Sequence, residues 1–199
     1  MSHRHPVDKN RAILWSRNIL AKPDQFLILD LETTGLLKKD VIIQIGIIDI
    51  EGKVIFDSLI HPLNQSISKE AEAIHGINIA DLQNAHEFKH MYNHLKELLE
   101  SKTILIYHAA FDRRLIKQTC KVNKLPNIHF TNDCAMEQYS AFLGEWDERI
   151  RAYAIHQLPG ADHSALGDCY ALLDLIKQMA NSEFIDVPKR RKRKWRLFK

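Results

Sequence analysis

Two runs rich in β-branched residues, Val41–Ile50 and Lys53–Ile60, are separated only by Glu51-Gly52. Runs of that kind joined by a two-residue Gly-containing turn predict a β-hairpin. The apolar run Phe26–Leu29 precedes it and continues to Leu31, which reads as a buried central strand. Downstream the pattern changes. Ser68–Ile74 predicts a short helix ended by His75-Gly76, and Glu87–Glu100 an amphipathic helix with Phe88, Met91, Leu95 and Leu98 on one face. Thr103–Tyr107 reads as another short buried strand, followed by a helix from near Phe111 to about Val122. Asn127–Thr131 reads as an edge strand, and Asp162–Met179 as the last helix. A hairpin first, then strands alternating with helices, predicts an α/β domain with a mixed sheet covered by helices. Ahead of it, Arg11–Leu20 reads as a helix broken by Lys22-Pro23-Asp24.

The 199 residues give room for one core. The boundaries fall at an N-terminal helical extension, 1–24, a main α/β domain, 25–182, and a basic tail, 183–199. The tail is the main compositional asymmetry. Lys189–Lys199 holds eight of the 28 Lys and Arg and no acid, leaving 20 basic against 25 acidic residues elsewhere, a net of −5. Such a block reads as an interaction tail matched to polyphosphate, against the plainer reading of a solubilising terminus. No apolar run reaches the roughly 18–20 residues of a membrane span, and MSHRHPVDKN lacks the apolar stretch of a secretory signal. Cys120, Cys134 and Cys169 fit neither a disulfide framework nor a zinc cluster, so a reducing cytoplasm is expected.

Four acids stand where their neighbours make them costly. Asp30 and Glu32 are two apart on an apolar strand, so they face the same side. Paired carboxylates at the end of a buried strand repel and resist desolvation, and a cation between them is the usual remedy. On the last helix Ala165, Leu172, Leu175 and Met179 fall within about 60° of Asp168 at 100° per residue. Asp168 therefore sits inside the apolar arc and needs a partner. Asp112 lies in the first turn of its helix, where the macrodipole alone favours an acid. His163, five residues before Asp168, reads as a surface residue unless Asp168 binds a metal, in which case it reaches the metal's water. His86, His90 and His94 recur every four residues but lie opposite the apolar face of their helix, so they are expected in solvent, not at a metal.

Taken together, these residues resemble the DEDDh 3′–5′ exonucleases, which include the epsilon proofreading subunit of DNA polymerase III and ribonuclease T. Leu29-Asp30-Leu31-Glu32-Thr33-Thr34-Gly35-Leu36 is similar to the family's first motif. Tyr107-His108-Ala109-Ala110-Phe111-Asp112 is similar to the second, and His163-Ser164-Ala165-Leu166-Gly167-Asp168 to the third, with its five-residue His-to-Asp step. Ala73-Ile74-His75-Gly76-Ile77 matches a further signature between the first two. The resemblance covers roughly Gln25 to Ala180.

It implies a ribonuclease-H-like fold, a mixed five-stranded sheet with three antiparallel strands followed by parallel ones. It also implies two divalent cations, Mg²⁺ or Mn²⁺, which oxygen ligands suit. Asp30 would bridge both ions, Glu32 and Asp168 would complete the first site, and Asp112 would hold the second. His163 would take a proton from the attacking water. Thr34, Gly35 and Leu36 match positions that line the terminal nucleotide, His75 one near its base or sugar, and Phe111 a stacking residue. The implied activity is release of nucleoside 5′-monophosphates from single-stranded or frayed DNA 3′ ends, in proofreading or repair. An exoribonuclease trimming RNA or short oligonucleotides is the alternative, and a non-catalytic nucleic-acid adaptor a further one. For the tail, the rival to nucleic acid is a sliding clamp, through Trp195-Arg196-Leu197-Phe198.

Overall fold

The computed structural model describes residues 5–187. Its frame is a six-stranded sheet. β1 (Phe26–Thr33), β2 (Ile42–Asp49) and β3 (Val54–His61) form an antiparallel meander. β5 (Thr103–Ile106) joins β1 in parallel, and β6 (Asn132–Cys134) joins β5 in parallel. The resulting order is β4-β3-β2-β1-β5-β6, with the two-residue β4 (His86–Glu87) added in parallel to the outer edge of β3. The mixed sheet of antiparallel then parallel strands is as expected; β4 makes six strands of the expected five.

Alternation along β1 sorts its side chains. Leu27, Leu29 and Leu31 pack with α3 (Phe88–Ser101) and α4 (Ala109–Val122) on one face. Phe26 and Ile28 pack on the other with α6 (Ala165–Asn181). Asp30 and Glu32 continue this second row by the two-residue period of a strand. α1 (His5–Ala21) and α5 (Ala135–Leu143) share that face with α6. α2 (Lys69–His75) is a short helix capped by the Ser68 hydroxyl and ended by Gly76 at φ +71°. A small hairpin of β7 (Trp146–Asp147) and β8 (Ala152–Tyr153) follows α5.

α1 is bound along its length. It buries Ala12, Ile13, Ser16 and Ile19. Trp15 donates to Asp133 at 3.0 Å, and Tyr153 donates to Asp8 at 2.8 Å. Asn10 exchanges two hydrogen bonds of 2.9 Å with the backbone of Ile185, and Arg17 donates to the carbonyls of Ala180 and Ser182.

Some elements differ from the sequence reading. α1 begins six residues before the expected Arg11. The edge strand is Asn132–Cys134, not Asn127–Thr131. Pairing with β5 decides this, overriding the weak strand preference of Asn and Asp. The last helix begins at Ala165, because Ser164 caps it by accepting from the Gly167 N–H. Asp162 and His163 therefore lie outside the helix, in a turn. α5, β7 and β8 were not expected; α5 has no side-chain cap, and two-residue strands leave no periodicity to read. The tail Lys189–Lys199 lies outside the described residues. No helix among them is long and apolar enough to cross a membrane.

Candidate active site

Asp30 and Glu32 face α6, and the first turn of α6 carries Asp168 towards them. One carboxylate oxygen from each of the three lies within 4.8 Å of the others. Asp168 is 9% exposed. One of its oxygens accepts the backbone N–H groups of Asp162 at 3.0 Å and His163 at 3.1 Å. Asp112 enters from the first turn of α4, where it is 4% exposed. It stands outside the close triad, but its charge is felt by both Asp30 and Glu32.

Burial, followed by repulsion from Asp112, Glu32 and Asp168, pushes the Asp30 carboxyl well above the usual carboxylate range. Burial first, then Asp168, Asp112 and Asp162, pushes Glu32 up to about 8. Burial pushes Asp112 up to about 7. Among the described residues no Lys or Arg forms an ion pair with any of the four. An all-oxygen donor set with excess negative charge and no cationic side chain fits hard divalent cations.

This has a measurable consequence. A carboxyl whose pKa is raised in the folded state stabilises the fold below its unfolded pKa, and that stability is lost as pH rises through the folded pKa. Burial lowers the His75 pKa, so His75 acts in the opposite direction, below its ordinary 6.5. From about pH 6.5 to 8 the acids dominate. The metal-free protein should therefore lose thermal stability over that interval, and Mn²⁺ or Mg²⁺ should restore it. Melting curves in EDTA that stay flat, or that Mn²⁺ does not shift, would contradict this charge balance.

His163 is exposed and takes φ +60°, a left-handed conformation uncommon outside glycine. Two carboxylates hold that turn. Asp168 accepts its N–H, and Asp162 accepts the Ser164 N–H at 2.9 Å and hydroxyl at 2.8 Å. The imidazole thus stands on the turn whose backbone binds Asp168.

The residues expected at the nucleotide fall into two groups. Thr34 is fully buried; its hydroxyl accepts the Val41 N–H at 3.0 Å and donates to Asp40 at 3.3 Å, so it is committed within the 34–41 loop. Gly35 has φ +155°, and a Cβ there would stand 2.7 Å from the Asp40 carboxylate. Leu36, by contrast, is 73% exposed. Phe111 is half-buried, stacked on His108 at 5.9 Å between centroids. Arg114 joins the two, lying 5.0 Å over the Phe111 ring and donating to the Leu36 carbonyl at 3.3 Å. The sequence reading passed over Arg114, whose neighbour Arg113 is solvent-exposed; only its place one helical turn after Phe111 marks it. His75 Nδ1 accepts the Ile77 N–H, so Nε2 carries the proton and donates to the Thr33 carbonyl at 3.1 Å. The pair His163–His75 also interacts electrostatically. His86, His90 and His94 are exposed as expected, and the acid triad is the one candidate metal-ligating group among the described residues.

The sequence model of the exonuclease family matches residues 27–176. An uncharacterized exonuclease of Escherichia phage 186 is 33% identical over 174 residues, covering 79% of this chain and 89% of the phage protein. The DNA polymerase III subunit epsilon of Buchnera aphidicola subsp. Baizongia pistaciae is 27% identical over 180 residues, covering 81% and 73%. Among solved structures, exonuclease X in complex with 5′ overhanging duplex DNA is similar with a TM-score of 0.55 at 26% identity, over 80% of this chain and 95% of that one. The family match runs from β1 into α6 and takes in all four acids: the chain belongs to the DEDDh exonuclease family.

Proposed function

We propose that the protein is a metal-dependent 3′–5′ exonuclease that removes nucleotides from single-stranded or frayed DNA ends. The observation that carries this is the convergence of Asp30, Glu32 and Asp168 without a cationic side chain to neutralise them. The DNA-bound state of the similar exonuclease X supports DNA as the substrate.

In this reading Asp30, Glu32, Asp168 and Asp112 would hold two divalent ions. When bound, such ions supply Lewis-acid stabilisation of the attacking and leaving oxygens. An imidazole nitrogen of His163 takes the proton of the attacking water. The water oxygen forms the new bond to phosphorus, the bond to the 3′-oxygen of the next nucleotide breaks, that oxygen takes a proton from solvent, and a nucleoside 5′-monophosphate leaves. Leu36 and Phe111, tied together by Arg114, bound the terminal nucleotide, while Gly35 and His75 shape the loop beside it. Thr34 contributes through the same loop.

The test is a panel of matched DNA and RNA oligonucleotides labelled at either end, with Mg²⁺, Mn²⁺ or EDTA. Early mononucleotide release from 3′-labelled DNA that EDTA abolishes is the expected result. Release from the 5′ end, or full activity in EDTA, would overturn the reading. Faster degradation of RNA would move it to the exoribonuclease alternative.

The chemistry is assigned to residues 25–182, so the tail should act on binding alone. Deleting Lys189–Lys199 should flatten the salt dependence of single-strand binding by about 0.7 in log K per log salt for each phosphate that the tail neutralises. Short oligonucleotides should be cut at the wild-type rate. An unchanged slope would leave the tail without a role in holding the strand. Leu197→Ala with Phe198→Ala removes no charge and separates an apolar docking role, such as clamp binding, from phosphate binding.

A further inference from the structure

We propose that Gln44 and Gly46, on β2, are positioning residues for Asp168. They seat the first turn of α6 at the depth that brings this acid to Asp30 and Glu32. The inference rests on the metal-dependent reading above.

The register of β2 against β1 is the starting point. Glu32 pairs with Gln44, and Asp30 pairs with Gly46. Residues paired across a ladder share a face, so both β2 residues lie on the side where α6 packs. At Gly46 there is no side chain to hold α6 away. A Cβ there would stand 2.7 Å from the Ala165 carbonyl carbon, 2.8 Å from its oxygen and 2.9 Å from the Leu166 nitrogen. Those atoms are backbone, so no rotamer change relieves the clash; the helix itself must move. Two polar contacts fix the seat. The Gln44 side-chain carbonyl accepts the Ala165 N–H at 3.2 Å, meeting one of the first N–H groups that a helix leaves unpaired. The Cys169 thiol donates to the Gly46 carbonyl at 3.3 Å. Asp168 lies between these anchors in sequence, three residues after Ala165 and one before Cys169. Its reach towards the two β1 acids is therefore set by β2, the strand that carries no acid of the site.

Gly46→Ala is the primary test, read by calorimetric titration of the metal-free protein with Mn²⁺. Affinity should fall about 10–100-fold, the usual cost of disturbing the support of a metal ligand. The Mn²⁺ concentration for half-maximal nuclease activity should rise in step, while the KM for a single-stranded oligonucleotide at saturating Mn²⁺ stays near that of the wild type. Gly52→Ala is the control for stability loss alone: its φ of +89° in the β2–β3 turn makes any side chain strained, and its Cβ would meet only side-chain atoms of α6. That variant should keep wild-type Mn²⁺ affinity. If Gly46→Ala does not fold, Gln44→Ala decides, with a fall of about tenfold expected from loss of the Ala165 acceptor. Wild-type Mn²⁺ affinity in folded Gly46→Ala, or in Gln44→Ala where that variant decides, would overturn the proposal while leaving an active wild-type enzyme untouched. A wild-type protein that neither bound Mn²⁺ nor degraded DNA would overturn the functional reading and this inference with it.

Discussion

Asp30→Asn is expected to abolish nuclease activity and, in the absence of metal, to make the protein harder to unfold. The two effects have one origin. Asp30 is half-buried at the centre of the acid group and is repelled by Asp112, Glu32 and Asp168. A divalent ion turns that repulsion into attraction, so the same carboxylate costs stability without metal and supplies a ligand with it. Metal-ion stabilisation of a transition state is worth several kcal/mol, and each 1.36 kcal/mol is tenfold in rate, so a loss of about 10³-fold or more is expected. The stability change has the opposite sign. Asparagine keeps the shape and removes the charge, so the metal-free melting temperature at pH 8 should rise. At pH 4, where Asp30 is protonated in the fold, the difference should shrink. Mn²⁺ should stabilise the variant less than the wild type. Melting curves and a gel-based nuclease assay measure all of this. Wild-type activity would remove Asp30 from the site, and a lower melting temperature would show that the carboxylate has a structural partner.

His163→Ala should lower kcat by about 10²–10⁴, the usual contribution of a general base. Its imidazole is solvent-exposed and its turn is held by backbone bonds to Asp168 and by Asp162. The side chain can therefore be removed without disturbing the acids. Mn²⁺ affinity should stay near wild type, which separates a proton-transfer role from a ligand role. The pH–rate profile of the variant should differ from that of the wild type. An unchanged pH profile would assign the proton to another group.

The parts of this molecule that could be read from sequence are those where two patterns coincide. Phe26–Leu29 is apolar on both faces, so it had to be central, and two acids spaced by two at its end had to share one face. Asp168 stood out for the same reason, as a charge inside the apolar arc of a helix. Such residues violate their local environment, and the violation is legible. Residues that merely comply are not. Gly46 lies in the middle of a β-branched run, and nothing local separates it from a packing glycine. Only the approach of α6, more than 100 residues later in the chain, gives it meaning. The shift of β6 from Asn127–Thr131 to Asn132–Cys134 is a case of the same kind, since β5 chooses its partner through long-range pairing. The sequence reads the last helix as starting at about Asp162, which puts His163 at its start. Capping by Ser164 and the left-handed turn are decided by hydrogen bonds that a periodic pattern does not contain.

The contacts of α1 bear on how the chain comes off the ribosome. Asn10 bonds to Ile185, 175 residues away, and Arg17 to Ala180 and Ser182. This helix thus finds partners as far as 175 residues later in the chain. Contacts so distant in sequence form late, because the loop between them must close first. Until then the apolar face of α1, Ile13 and Ile19 included, has no finished surface to cover. α6 brings Asp168 to the sheet in the same final stage. A nascent chain therefore carries Asp30 and Glu32 without the third acid of the triad until α6 has been made. The closing of the shell by α1 and the completion of the acid site therefore both wait on α6.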